Sequence, residues 1–333
     1  MDKEKKESLL SISSSPHIRT GEDTRSIMLD VLIALVPALA VAAYMFGLRA
    51  IVNTVLSIAF CLFFEWGYRK LLKKPDSTGD LSAAVTGMLL AFTLPVSIPW
   101  WILFIGDGFA IVLVKQLFGG IGKNFMNPAL AARAFLFSWP VAMTKWVAPL
   151  SYGSFFRIST ADAVTSATPL ASMSGGALPE GVSLLQCFLG NVGGSMGEVS
   201  AFALLLGGVY LLIRKVITPR IPLAFLGTVA VLAFLFPQGN PRLSWMLWQL
   251  CSGGLMLGAI FMATDYTTSP VNPTAQILFG VGCGLLTVFI RYFGSYAEGV
   301  SYAILIMNAA VWLLDKAFPR KRFGTVKTKK EAA

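Results

Sequence analysis

The strongest constraint on this chain is a succession of apolar runs, each long enough to match the ~20 residues a helix needs to cross a bilayer, with charges collected in the short stretches between them. In lipid every backbone N–H and C=O must be paired within the protein, which leaves helices or closed barrels. Runs this long, without period-two alternation, select helices. They fall at 28–47, 50–67, 81–95, 98–115, 127–144, 198–213, 221–236, 246–263, 273–290 and 299–315. Asn127-Pro128 and Asn272-Pro273 each read as an N-cap followed by a first-turn proline, so both predict helix starts. Composition agrees: 13% of residues are charged and 55% hydrophobic, whereas soluble domains run nearer a quarter charged. The chain is expected to be an all-α integral membrane protein with about ten transmembrane helices.

The basic residues orient these runs. With the N-terminus inside, 21 of the 27 Lys and Arg lie on cytoplasmic segments, five (Arg49, Lys145, Arg157, Arg242, Arg291) lie outside, and Arg133 falls within a run. That bias is the positive-inside rule, and it supports an even number of crossings with both termini cytoplasmic in a prokaryotic inner membrane. The implied organisation is a cytoplasmic tail at 1–26, a first five-helix unit at 27–144, an extracytoplasmic segment at 145–197, a second five-helix unit at 198–317 and a basic tail at 318–333. The net charge of +10 sits at membrane borders and tails, so it points to lipid contact and not to nucleic acid. No cleavable signal peptide is expected, because the charged stretch 1–25 is long and no small-residue cleavage site follows the first apolar run. Cys61, Cys187, Cys251 and Cys283 are scattered singly and His17 is the one histidine, so no metal or haem site is expected.

The two units echo each other. Gly87 precedes Thr93 by six residues and Gly258 precedes Thr264 by six. Gly106-Asp107-Gly108 is followed after seven residues by Lys115, and Gly282-Cys283-Gly284 after seven by Arg291. Phe118-Gly119 and Phe293-Gly294 then correspond, as do Met126-Asn127 and Met307-Asn308 at a spacing that differs by six. Five crossings per unit make the second copy inverted, a 5+5 architecture shared with many transporters, whose sites lie at the repeat interface. On these grounds alone a cofactor-free transporter or channel for a small polar solute fits.

The outside segment contains Asp162-Ala-Val-Thr165-Ser166-Ala167-Thr168-Pro169-Leu170. By composition it is a small-residue loop, and a turn accounts for it. The stretch also resembles the flavin-attachment motif of the family that holds the D subunit of Rnf and the B subunit of Na+-NQR, an acid followed shortly by Ser/Thr-Gly/Ser-Ala-Thr. Ser15-Pro16-His17, the run from Gly119 through Lys123 to Asn127-Pro128-Ala129, Gly194 through Glu198 to Ser200, and Ala263-Thr264-Asp265 resemble further signatures of that family. The resemblance covers nearly the whole chain, and the short N-terminal tail favours the Rnf member over the Na+-NQR member.

That resemblance implies FMN joined by a phosphoester to the hydroxyl of Thr168. Thr165, Ser166 and Ala167 would let the flavin phosphate and a flavin transferase approach the backbone, and Asp162 would position the motif during transfer. Ser166 stands where Gly is commoner, which costs backbone freedom if that position needs positive φ. It further implies electron transfer between ferredoxin and NAD+ coupled to outward Na+ or H+ movement. The partners would be the A, B, C and E proteins of the Rnf complex and above all its flavin-bearing G protein. A second, noncovalent flavin such as riboflavin is allowed. No dinucleotide fingerprint or iron–sulfur cysteine set is present, so the chain is expected to carry no catalytic residue of its own and to act as one component of an oxidoreductase.

Charges inside apolar runs are costly and mark either pairs or pathways. Asp30 and Glu65, near the cytoplasmic border, read as structural; Arg133 reads as half of an internal ion pair with a carboxylate. Asp107, Glu198, Asn127 and Lys123 are candidates for an ion path or a second flavin, with Glu198 also explained by its place at a helix start. The Gly-rich loop 119–124, ahead of a helix, suits either an anion or flavin cradle or a plain turn.

Overall fold

The computed structural model describes residues 23–149, 156, 168–173, 175–179, 181–294 and 298–319, and every regular element among them is a helix. Thus His17, Asp162, Thr165, Ser166, Ala167 and both terminal tails lie outside the described residues. The order begins with α1 (Thr24–Phe46), α2 (Leu48–Leu71), α3 (Ser82–Phe92) and α4 (Trp100–Gly108), which continues as a π-helical stretch over Phe109–Gln116. Next come α5 (Pro128–Leu136), α6 (Pro140–Met143), α7 (Pro169–Met173), α8 (Leu184–Leu189), α9 (Ala201–Ile213) and α10 (Arg220–Leu235). The chain closes with α11 (Arg242–Cys251), α12 (Leu255–Leu257) with its π-helical continuation Gly258–Met262, α13 (Pro273–Phe293) and α14 (Val300–Ala317).

Local sequence accounts for many of these ends. Asp23 caps α1 in a capping box with Ser26, and Gly47, at φ +76°, turns the chain directly from α1 into α2. Asn127 accepts from the N–H groups of Ala129 and Leu130, and Asn272 from that of Thr274, each with proline in the first turn. Both helix starts expected from Asn-Pro are therefore present.

Helix occupies part of each of the ten apolar runs, but not every run is one full-length helix. Four helices, α1, α2, α13 and α14, are long and apolar enough to cross a membrane; α11 and α12 with its continuation, bent by 63°, make a fifth if taken as one span. Helices α3, α9 and α10 are apolar but shorter. The expected run 127–144 breaks into α5 and α6, and 246–263 breaks at Ser252-Gly253-Gly254. A chain of this composition is a multi-pass helical membrane protein.

Breaks in apolar helices free backbone groups that need new partners, and the fold supplies them. Beyond α3, the carbonyls of Phe92 and Leu94 accept from the N–H groups of Gly197 and Met196, at 2.9 and 3.1 Å. At the α11 break, Arg291 from α13 donates to the carbonyls of Gln249 and Ser252, at 2.6 and 3.1 Å. Helices meet closely where side chains are small. A Cβ on Gly87 would lie 2.8 Å from the Ser57 carbonyl oxygen, which seats α3 on α2, and one on Gly280 would lie 2.9 Å from that of Ile221, which seats α13 on α10.

Candidate functional site

Two clefts lie at opposite ends of α9, roughly 18 Å apart at 1.5 Å per residue. The first takes Glu198 and Val199 from the approach to α9, and the second takes Leu211 near its end.

The first cleft, with about 300 Å3 of empty space, is lined by Thr168, Pro169, Ser195, Glu198, Gly253 and Glu298 among others. Thr168 is buried and sits ahead of α7, where its hydroxyl oxygen accepts from the Ala171 N–H at 3.2 Å. That is a helix cap, and it leaves the hydroxyl hydrogen and one lone pair available. Behind the cleft, Arg133 donates to Glu198 at 2.8 Å and also pairs with Glu298, with its own side chain 3% exposed. The internal pair expected for Arg133 is therefore a triad that joins α5, the approach to α9 and the approach to α14. Glu198 stands two residues ahead of Ser200, the cap of α9, and is ion-paired with Arg133. Gly254 leaves no room for a side chain, because a Cβ there would collide with the Glu198 carboxylate.

Several buried polar atoms here have no partner: Ser195 Oγ, Glu198 Oε2 and the Nε atoms of Arg133 and Arg291. Buried polar groups in folded proteins are nearly always hydrogen-bonded. This cluster is what a polar ligand would complete.

The second cleft, with about 760 Å3 of empty space between atoms and open to solvent, lies where α1, α3, α5 and the end of α9 converge. Its lining includes Lys115, Ile121, Asn124, Asn127, Pro128, Thr264, Asp265 and Tyr266. The loop before it turns on Gly119, Gly120 and Gly122, all at positive φ. Asn124 Oδ1 is buried and unpartnered, while Asn127 caps α5 and its amide donates to the Met262 carbonyl at 3.4 Å. Lys123 is exposed and does not line this cleft; its chain packs over Gly119. At the edge, Lys115 binds Glu65 at 2.9 Å and Ser82 at 2.6 Å. Glu65 also accepts from Gln116 and Ser77, at 2.8 and 2.6 Å. Asp30 accepts from the Tyr210 hydroxyl at 2.8 Å and pairs with Arg214 at 3.1 Å. Both acids are thus structural partners, as read from their positions.

The sequence stretches that resemble family signatures are sorted by the fold. Gly194–Ser200 and Thr168 meet at the first cleft; 119–129 and Thr264-Asp265 meet at the second. Asp107 belongs to neither. Glu298 and Arg291 were missed as site residues. The signal for Arg291 was its match to Lys115, and Glu298 carried none beyond being an acid at the start of a run.

An apolar helical protein with broken helices, ion-paired buried charges and two clefts at helix ends is a multi-pass membrane protein. The chain belongs to the NQR2, RnfD, RnfE family, whose model matches residues 11–324. It is 49% identical to the D subunit of the Na(+)-translocating ferredoxin:NAD(+) oxidoreductase complex of Acetobacterium woodii, over 97% of this chain and 98% of the relative. It is 40% identical to the D subunit of the proton-translocating ferredoxin:NAD(+) oxidoreductase complex of Clostridium ljungdahlii, over 96% and 98%. It is also 40% identical to the D subunit of the ion-translocating oxidoreductase complex of Stutzerimonas stutzeri, over 92% and 93%.

Proposed function

We propose that this chain is the D subunit of an Rnf-type complex that couples electron transfer between ferredoxin and NAD+ to ion translocation, and that it carries FMN covalently on Thr168. The relatives, each named as the D subunit of such a complex, support the assembly. The observation that carries the flavin reading is the first cleft, whose lining brings the buried Thr168 together with the buried polar residues Ser195 and Glu198. The cleft is small, with room beside Thr168 for a polar group and not for the whole of a flavin nucleotide. Ser195 would supply a donor to a phosphate oxygen, and Arg133 offsets one of the two nearby carboxylate charges. Bound flavin would supply reversible one- and two-electron transfer; this chain's residues hold and orient it.

A second, noncovalent flavin fits the other cleft. It is the roomier of the two clefts. Asn124 Oδ1 offers an unused acceptor beside the glycine turn. The ten-span inverted 5+5 topology belongs to this reading, with the first cleft and the 145–197 segment outside and both termini inside. The chain then meets the other Rnf proteins, the flavin-bearing G protein foremost, in the prokaryotic inner membrane.

The test is in-gel flavin fluorescence of the denatured chain after co-expression with a flavin transferase active on a known substrate. Wild type and Thr168→Ser are expected to fluoresce. Thr168→Val is expected to be dark, as is Thr168→Asn, which keeps the cap but offers no hydroxyl. A dark wild-type band would overturn the covalent assignment.

A further inference from the structure

Helix α2 is inverted in character: its buried face is polar and its outer face apolar. Asn53, Ser57, Cys61 and Glu65 recur every four residues, all buried, while Val55, Phe63 and Trp66 are exposed. Facing this stripe, α4 and its π-helical continuation present Asp107, Ile111 and Lys115, again every four residues and all buried. Polar residues aligned inside a membrane helix pair are expensive and mark pathways for ions.

Two acids lie on this seam, in opposite circumstances. Glu65 faces Lys115. Asp107 is fully buried, and no cation pairs with it: its Oδ1 contacts Ser57 Oγ at 2.7 Å and Cys61 Sγ at 3.2 Å, and its Oδ2 has no partner. Gly106 and Gly108 let the neighbours close over it, since Cβ atoms there would lie 2.7 Å from Leu136 and 2.9 Å from Phe64. The buried titratable groups on the packed elements are Cys61 and Glu65 from α2, Lys115 from its own helix, and Arg133 from α5, held by Glu198 and Glu298; α2 also carries Arg49, Tyr68, Arg69 and Lys70 toward its ends, and α3 contributes none.

Counting hydrogens decides the charge state. Ser57 Oγ lies 2.7 Å from Asp107 Oδ1 and 2.8 Å from the Gly87 carbonyl oxygen. Both are full O–H···O distances, yet a serine hydroxyl has one hydrogen and a carbonyl has none. A proton on Asp107 supplies the second hydrogen.

We infer that Asp107 is a proton-binding site within the membrane: a neutral carboxylic acid that donates to Ser57, which in turn donates to the Gly87 carbonyl. Release breaks the Asp107 O–H bond, passes the proton to a water molecule and leaves a carboxylate. The Ser57 hydroxyl then turns from Gly87 to Oδ1, and uptake from water reverses both changes. The polar line continues to Glu65 and Ser77, interrupted by the buried cluster Cys61, Ala83 and Ile111. That cluster is the barrier a proton must pass. The part Asp107 plays in ion movement rests on the translocation reading above; its protonation does not.

The experiment is infrared difference spectroscopy on the purified full chain in detergent at neutral pH, wild type minus Asp107→Asn. A protonated-carboxyl C=O band lost in Asp107→Asn, shifted down in D2O and shifted up in Ser57→Ala is the expected result. Should Asp107→Asn fail to purify, aspartate labelled with 13C at the carboxyl, compared between wild type and Ser57→Ala, gives the same readout. Carboxylate bands alone would overturn the inference. So would a protonated band that disappears saturably with NaCl but not with KCl, which would make the site a sodium site. A flavin-free gel leaves this result untouched, so the two readings fail separately.

Discussion

Arg133 on α5 and Glu198, at the approach to α9, meet at 2.8 Å with each side chain 3% exposed. Glu298 closes the other side of the same guanidinium. One cation therefore bridges two carboxylates from distant parts of the chain, and it does so directly behind the cleft that holds Thr168.

Arg133→Met is expected to destabilise the protein by about 3–5 kcal/mol, because two buried carboxylates lose their cation. Arg133→Lys should recover little, since a single ammonium lacks the planar fork that reaches both partners. Thermal unfolding in detergent, followed by size-exclusion fluorescence, checks the order wild type, then Lys, then Met. Equal midpoints for all three would show that the triad contributes nothing.

Gly254→Ala places a methyl group on the Glu198 carboxylate. Covalent flavin per mole of protein is expected to fall several-fold, with Gly227→Ala as a control because its added Cβ meets nothing within 4 Å. The ratio of flavin fluorescence to stained protein measures it, and unchanged loading in Gly254→Ala would argue against a role for Glu198 at the cleft.

Lys115→Met leaves Glu65 buried with only Gln116 and Ser77 as donors. A loss of about 3–5 kcal/mol is expected. The double variant Lys115→Met/Glu65→Leu should regain most of it, since the uncompensated charge goes with the cation. A double variant less stable than the single one would contradict this account.

Asn124→Leu removes the unpartnered acceptor of the second cleft. Noncovalent flavin, released by acid and quantified by chromatography, is expected to disappear while fluorescence on Thr168 persists. Asn124 tests this better than Asn127, whose loss would also cost about 1 kcal/mol of helix capping.

Much of the fold was legible because lipid imposes its demands one residue at a time. Apolar runs had to be helical, and Asn127-Pro128 and Asn272-Pro273 had to begin helices, for reasons local to each sequence. Hydropathy does not register where a run breaks, so the bend at Ser252-Gly253-Gly254 and the division of 127–144 into α5 and α6 emerged only from packing. The candidate sites divided in the same way. Thr168 was readable from a motif, whereas the pairing of Glu198 with Arg133 was not, because helix position offered an adequate local explanation.

By itself the sequence determined that this is a helical membrane protein of the Rnf and Na+-NQR kind, and which residues carry charge inside it. Only the tertiary structure decided which of those charges are neutralised. Glu65 meets Lys115 across fifty residues of chain and Arg133 meets Glu198 across sixty-five, while Asp107 meets a serine and a thiol but no cation. The reason is physical: burial in lipid acts on each residue alone, but an ion pair or a shared hydrogen exists only when packing brings two groups within about 3 Å.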